Sequence, residues 1–251
     1  MDEDVVVIYA GAAPGTHTNY LSEMFPRAFF YLVDPAEFHA KPTDRIEIVQ
    51  DYFTDEMAEK LVKRFDNKVI LFISDIRSMN REMNDQKKEG RVAIDMEWQM
   101  KWHEILKPKV SMLKFRLPYP PQKDKEKFIE KEKTNYLKGK LYFQIWCGRT
   151  SSETRLFVYG ADQGIIEKQD YSHYDYENVM FHFQTVTRTS YFEHDIKGEG
   201  LDHCYDCSAE IFILSEYLKK KGYGDQLHVE VPKLSREISR KISSSRSLLL
   251  K

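Results

Sequence analysis

Short, continuously apolar runs alternate with amphipathic segments through the first half of the chain. VVVIYA over Val5–Ala10, AFFYLV over Ala28–Val33, IEIV over Ile46–Val49, KVILFIS over Lys68–Ser74 and VSMLKF over Val110–Phe115 predict five strands. Between them Thr16–Met24, Asp55–Phe65 and Ala93–Leu106 predict helices. The second carries Met57, Leu61 and Phe65 on one face, and the third Trp98, Trp102 and Ile105 on one stripe. Strands that are apolar throughout and separated by helices belong to a parallel sheet covered on both faces. The expected class is therefore α/β, with a doubly wound, mostly parallel sheet. In the second half Leu141–Trp146 and Thr154–Val158 read as antiparallel strands added at one edge, and Tyr176–Arg188 and Cys204–Lys220 as helices. Pro118–Lys133 reads as a long loop. Residues 1–232 are expected to form a single domain, followed by a Ser/Arg/Lys-rich tail over 233–251 that frays.

Composition narrows this picture without adding chemistry. The 251 residues suffice for one α/β domain with a substantial core. No apolar run approaches the ~18 residues of a membrane span. The acidic start, MDEDVVVIYAG, lacks the basic-then-apolar order of a signal peptide. Three cysteines, an odd number, argue for a reducing compartment, the cytoplasm, rather than a disulfide framework. The net charge of −2 hides basic clustering over 107–140 and again from Lys233 to Arg246. Local basic patches, not the sum, attract phosphate; interspersed glutamates make an ordinary solvated face the competing reading.

The candidate chemistry sits at the predicted strand ends. Between the first strand and helix lies Gly11-Ala-Ala-Pro-Gly15. Small residues there let a ligand approach the backbone and face the N–H groups that open the helix. The spacing is G-x-x-x-G, which is neither the dinucleotide fingerprint nor a P-loop, and a plain tight turn would look the same. Asp34 closes the second strand, where a carboxylate accepts from ribose hydroxyls; a turn aspartate before Pro35 is the alternative. Asp75 ends the fourth strand. Lys114 lies in the apolar fifth strand, an unusual place for a charge unless it is paired, and Asp75 is its natural partner. Glu153 opens a later strand. A lysine between carboxylates suits ribose 2′-hydroxyl chemistry, since the amine can orient or deprotonate the hydroxyl. An ion-pair network that merely ties edge strands together is the structural alternative.

AGAAPGTH (10–17), ISDIRS (73–78), LKFRLPYP (113–120) and SSETR (151–155) occur in one order, with weaker matches at YDYENVM (174–180) and near Tyr205–Leu218. From about Val5 to about Lys220 the chain resembles the poxvirus cap-specific mRNA (nucleoside-2′-O-)methyltransferase family. Those proteins also serve as the small, processivity-conferring subunit of the viral poly(A) polymerase. The resemblance implies a Rossmann-like fold dependent on S-adenosylmethionine (SAM), with capped mRNA as substrate and a poly(A) polymerase catalytic subunit as partner. It implies Asp75, Lys114 and Glu153 as three members of a lysine–aspartate–lysine–glutamate tetrad, and Lys114 as the activator of the 2′-hydroxyl. The tetrad's first lysine lies in a family segment that precedes this first strand. The expectation is that an upstream segment supplies it or that another residue substitutes.

For the cofactor the resemblance implies Tyr9, Gly11, Ala13, Gly15, His17, Asp34, Phe53, Thr54 and Asp75. Arg77, Arg116 and Arg155 become candidates for RNA phosphate. The family holds 7-methylguanosine between aromatic rings with carboxylates at the base edge. Tyr119 matches one ring and Glu177 one acid, whereas Thr150 and Pro121 stand where the family has a second aromatic and a second acid. Tyr142 is a candidate to complete the pocket. Two competing classes stay open: an RNA-binding regulatory subunit without catalysis, and an FtsJ-like 2′-O-methyltransferase acting on ribosomal or transfer RNA. His203-Cys-Tyr-Asp-Cys207 reads as cysteines on a buried helix face with no metal, because only Cys147 remains as a further thiol. Tyr176, Phe181 and Phe183 read as core.

Overall fold

The computed structural model describes residues 5–79, 82–119, 132–160 and 166–249. The five apolar runs form β1 (Val5–Ala10), β2 (Ala28–Val33), β3 (Ile46–Val49), β4 (Val69–Ser74) and β5 (Val110–Phe115), with α1 (Thr18–Met24), α2 (Asp55–Arg64) and α3 (Asp85–Leu106) between them. β6 (Lys133–Leu137), β7 (Lys140–Phe143), β8 (Thr154–Tyr159) and β9 (Lys168–Ser172) follow. The main sheet runs β3-β2-β1-β4-β5-β8-β7. Its first five strands are parallel, and β8 and then β7 add to the β5 edge in antiparallel pairs. The expected doubly wound sheet with antiparallel edge strands is therefore present. Val6, Ile8, Ala10, Leu32, Val33 and Phe72 are buried along its central strands.

Several local expectations are corrected. α3 begins eight residues earlier than read, with Asn84 capping it by accepting from the Lys87 N–H at 2.9 Å. Its buried face is Val92, Met96, Gln99, Trp102, His103 and Leu106, while Trp98 stays 40% exposed. Part of the Pro118–Lys133 loop, residues 120–131, lies outside the described residues, as does Pro121. Just beyond it, β6 pairs antiparallel with β9 in a second, two-stranded sheet that the sequence reading does not contain. These strands carry polar residues on both faces, which hides any alternation.

The chain divides into two compact units, 1–143 with 153–177 and 144–152 with 178–251, where one domain through residue 232 is expected. No change of composition marks the division. Within the second unit, the backbone N–H of Trp146 donates to Asp206 at 2.8 Å, and Arg188 donates to the Cys147 carbonyl at 2.7 Å. α4 (His173–Thr185) begins in the first unit and ends in the second; α5 (Tyr205–Lys220) and α6 (Leu227–Leu249) complete the second. The tail expected to fray from residue 233 is instead the body of α6. Val231, Leu234 and Ile238 recur at helical spacing and pack with Ile211, Leu214 and Leu218 of α5. The Ser/Arg/Lys composition masks that periodicity. In α4, Tyr176, Met180 and Phe183 are buried at i, i+4 and i+7, whereas Phe181 is 70% exposed. The expected stripe thus holds Met180 in place of Phe181.

Candidate active site

β1 and β4 lie side by side, although β2 and β3 intervene in the chain. The chain thus reverses its direction of winding between them, and the crevice beyond their carboxyl ends is where such sheets receive ligands. Gly11 begins the loop after β1 with φ +79°. A Cβ there would stand 2.8 Å from both the Asp75 carbonyl carbon and the Ile76 nitrogen, so the loops after β1 and β4 meet backbone to backbone. Gly15 has φ +64° and is less tightly confined, with Ala40 at 3.1 Å and the Ala12 carbonyl at 3.2 Å from an added Cβ. Asp34 accepts from the Ala13 N–H at 3.2 Å and from the Ala36 N–H at 2.8 Å. It is thus both the turn aspartate and the anchor of the glycine loop. A carboxylate's further lone pairs remain available to hydroxyl donors.

These loops border a cleft of about 980 Å³ lined by Gly11, Ala13, Asp34, Phe53, Thr54, Asp75, Arg77 and Lys114 among the expected residues. Thr54 also caps α2, accepting from the Met57 N–H at 3.2 Å. Tyr9, His17 and Gly15 do not line the cleft itself. Burial, and secondarily the Asp75 charge, push the Tyr9 phenol up to about 12, so it is a neutral hydroxyl. The wall that sequence reasoning missed is α3. Arg91, Asp95, Trp98 and Trp102 recur every three or four residues and line the cleft together. Trp102 meets Phe53 edge-on at 4.8 Å and stacks with Trp98 at 6.3 Å. That spacing was legible, but an aromatic stripe at helical period reads as core. Two fully buried oxygens beside the cleft, Oδ1 of Asp95 and Oγ of Ser78, have no hydrogen-bond partner among the described residues.

At the carboxyl ends of β4 and β5, facing the start of β8, five charged side chains converge. Lys114 Nζ lies 3.1 Å from Asp75 and 3.6 Å from Glu153. Arg155 reaches Asp75 at 2.8 Å and Glu153 at 3.2 Å, and Arg77 reaches Glu153 at 3.2 Å. The expected Lys114–Asp75 pairing is present. The register explains it: Lys114 pairs with Arg155 across β5 and β8, with Glu153 just before β8. Burial opposes the charge on Glu153, but Lys114, Arg77 and Arg155 outweigh it and hold the carboxyl below its ordinary range. Burial weakens the hold of Arg77 on its proton, and Glu153 partly offsets this. Within the cluster three cations face two carboxylates.

Arg77 and Arg155, read as phosphate ligands, therefore spend their guanidiniums on these carboxylates. Arg116 does likewise elsewhere, pairing with both oxygens of Glu89 at 3.0 and 3.1 Å. Glu89 also accepts from the Tyr119 N–H at 2.6 Å, and the Arg116 guanidinium lies 4.9 Å over the Tyr119 ring. The Tyr119 hydroxyl donates to Glu177 at 3.4 Å. Burial raises the Glu177 carboxyl above its ordinary value, against the hydrogen bond from Tyr119 and the charge of Arg116. Tyr119 and Glu177, the two residues read as candidates for base binding, are thus in contact, and Glu89 supports Tyr119, which the sequence did not reveal. Tyr142 packs edge-on against Phe157 at 4.9 Å with Lys140 over its ring. Thr150 is exposed in the second unit.

The family model described as poly A polymerase regulatory subunit matches residues 1–243. The cap-specific mRNA (nucleoside-2′-O-)-methyltransferase of fowlpox virus is 27% identical over 214 residues, covering 80% of this chain and 66% of that protein. The protein of the same name from myxoma virus (strain Lausanne) is 24% identical over 230 residues, 86% of this chain and 64% of that protein. The chain thus spans just under two thirds of the length of these relatives. The structure of bluetongue virus VP4, described as a multifunctional RNA-capping production line, aligns with a TM-score of 0.50 at 15% identity. It covers 71% of this chain and 28% of that one, a likeness of fold. Among the described residues, no helix is long and apolar enough to cross a membrane.

Proposed function

The chain belongs to the poly(A) polymerase regulatory subunit family, and on that premise we propose that it methylates the ribose 2′-hydroxyl of the first transcribed nucleotide of capped mRNA. The observation that carries this reading is the Lys114 amine held by Asp75 and Glu153 beside the cleft. SAM is the cofactor that fits. Gly11 and Ala13 line the cleft, Asp34 retains acceptor capacity, and the orphaned oxygens of Asp95 and Ser78 await donors. When bound, SAM supplies an electrophilic methyl group. Lys114 orients the 2′-hydroxyl and, once its ammonium has given up a proton to solvent, the neutral amine receives the hydroxyl proton. Asp75 and Glu153 fix the amine, and Arg77 and Arg155 fix the carboxylates. Tyr119 stacks on the cationic 7-methylguanine while Glu177 reads its edge. The free cysteines suit a reducing compartment such as the cytoplasm.

Methyl-labelled SAM should label RNA that carries a 7-methylguanosine cap. Lys114→Ala should lower transfer by about 10²–10⁴-fold while calorimetry still detects SAM binding. Transfer unaffected by that change would overturn the role of Lys114. Equal transfer to uncapped RNA would favour an FtsJ-like substrate. A second reading, an RNA-retaining subunit of a poly(A) polymerase without catalysis, is favoured by the family's own description. A chain that binds capped RNA but not SAM would select it.

A further inference from the structure

The Cys-x-x-Cys segment acquires a third member in the fold. The carboxylate of Asp202 and the sulfurs of Cys204 and Cys207 supply ligand atoms that all lie within 4.8 Å of one another. We propose that these three residues bind a thiophilic divalent cation, with zinc as the probe. Cys204 is the residue capping α5 and Cys207 lies in its first turn, so both side chains project from one face. Asp202 accepts from the Cys204 N–H at 2.8 Å, and the Cys207 thiol donates to the Gly200 carbonyl at 3.3 Å. The thiol protons leave as a cation enters. Tetrahedral zinc at about 2.3 Å from sulfur spaces its ligands by about 3.8 Å, within reach of side-chain rotation here.

The donor set, two sulfurs and one oxygen, selects zinc-like ions over calcium or magnesium. Neither remaining candidate joins the set. Cys147 is engaged by Gln184 at 3.7 Å and Arg188 at 3.6 Å. His203 bonds through Nδ1 to the Phe192 carbonyl at 3.0 Å, its ring stacked on Tyr191 and on His194. Asp202 is exposed, which leaves the fourth position to water. The backbone around the site is pinned in advance: His194 bonds the Asp202 carbonyl at 2.8 Å, and the Phe192 N–H donates to the His203 carbonyl at 2.8 Å. A bound cation would join this segment to the start of α5.

The test uses the reduced, tag-free full chain. Cobalt should give a thiolate-to-metal charge-transfer band that zinc displaces at about one equivalent per chain. Zinc should protect Cys204 and Cys207, but not Cys147, from alkylation, read by peptide mass spectrometry. Cys204→Ser should lose the band, Asp202→Asn should keep it with weaker affinity, and Cys147→Ser should leave it unchanged. The wild-type protection assay stands even where a cysteine variant fails to fold. No band in the reduced wild type, equal alkylation with and without zinc, or a Cys204–Cys207 disulfide formed in the presence of zinc would each overturn the proposal.

Discussion

The charged cluster around Lys114 and the aromatic platform around Tyr119 lie in the same unit but are built in opposite ways. The cluster is an outcome of topology. Its members sit in, or within three residues of, neighbouring strands, and the pairing of β4, β5 and β8 brings them together. The platform follows β5 on irregular backbone. It is held by side chains from two helices, Glu89 of α3 and Glu177 of α4, that converge on one tyrosine. The lesson is that a sheet edge can specify a reactive constellation with few residues, whereas a stacking site needs partners scattered along the chain. The two should therefore fail separately.

The change that separates them most sharply is Gly11→Ala. At φ +79° the new Cβ is strained, and it also meets the backbone of Asp75 and Ile76 at 2.8 Å. Neither contact can be relieved by a rotamer. The loop after β4 must move, carrying Asp75 away from Lys114. Stability should fall by about 1–3 kcal/mol, with SAM affinity and methyl transfer both largely lost in calorimetric and labelling assays. Binding of a 7-methylguanosine cap analogue should hold. Equal loss of both affinities would show that cleft and platform are one coupled site.

The same contrast explains what was legible in the sequence. The five parallel strands are mostly apolar runs, and glycine loop, Asp34, Asp75 and Lys114 mark their carboxyl ends, so sheet and cluster follow from local pattern. The α3 wall escaped because Trp98 and Trp102 read as a core stripe, while only Trp102 is buried. Glu89 escaped because nothing local distinguishes it from the neighbouring charges of DQKKEGR. α6 escaped because serine and arginine between Val231, Leu234 and Ile238 resemble a frayed tail. Arg77, Arg116 and Arg155 were legible as arginines at the site. Their carboxylate partners, Glu153, Glu89 and Asp75, are what a single sequence cannot show.

A smaller effect probes the platform from its support. Tyr119→Ala should cost about 1–3 kcal/mol of cap-analogue affinity through lost stacking, whereas Tyr119→Phe should lose little, since the hydrogen bond to Glu177 spans 3.4 Å. Glu89→Gln leaves the ring intact but removes the charge that fixes Arg116 and the Tyr119 backbone. It should weaken the cap analogue several-fold without altering SAM affinity. A change in SAM affinity would show that α3 transmits between cleft and platform.

The smallest effect concerns pH. Burial raises the Glu177 carboxyl above its ordinary value of 4.5, so the folded chain holds that proton to a higher pH than the unfolded chain does. The stabilisation that protonation confers is complete below the unfolded value and is lost as pH rises through the folded one. Recognition runs the other way, because a base edge that donates requires the ionised acceptor. Cap-analogue affinity should therefore begin to fall, on acidification, at a higher pH than an ordinary glutamate would dictate. Fluorescence titration across the acidic range reads this directly. Glu177→Gln should weaken binding at neutral pH and flatten the acidic fall. A wild-type profile that stays flat down to the ordinary glutamate range would remove Glu177 from the base edge and leave Tyr119 as a stacking surface without a reader.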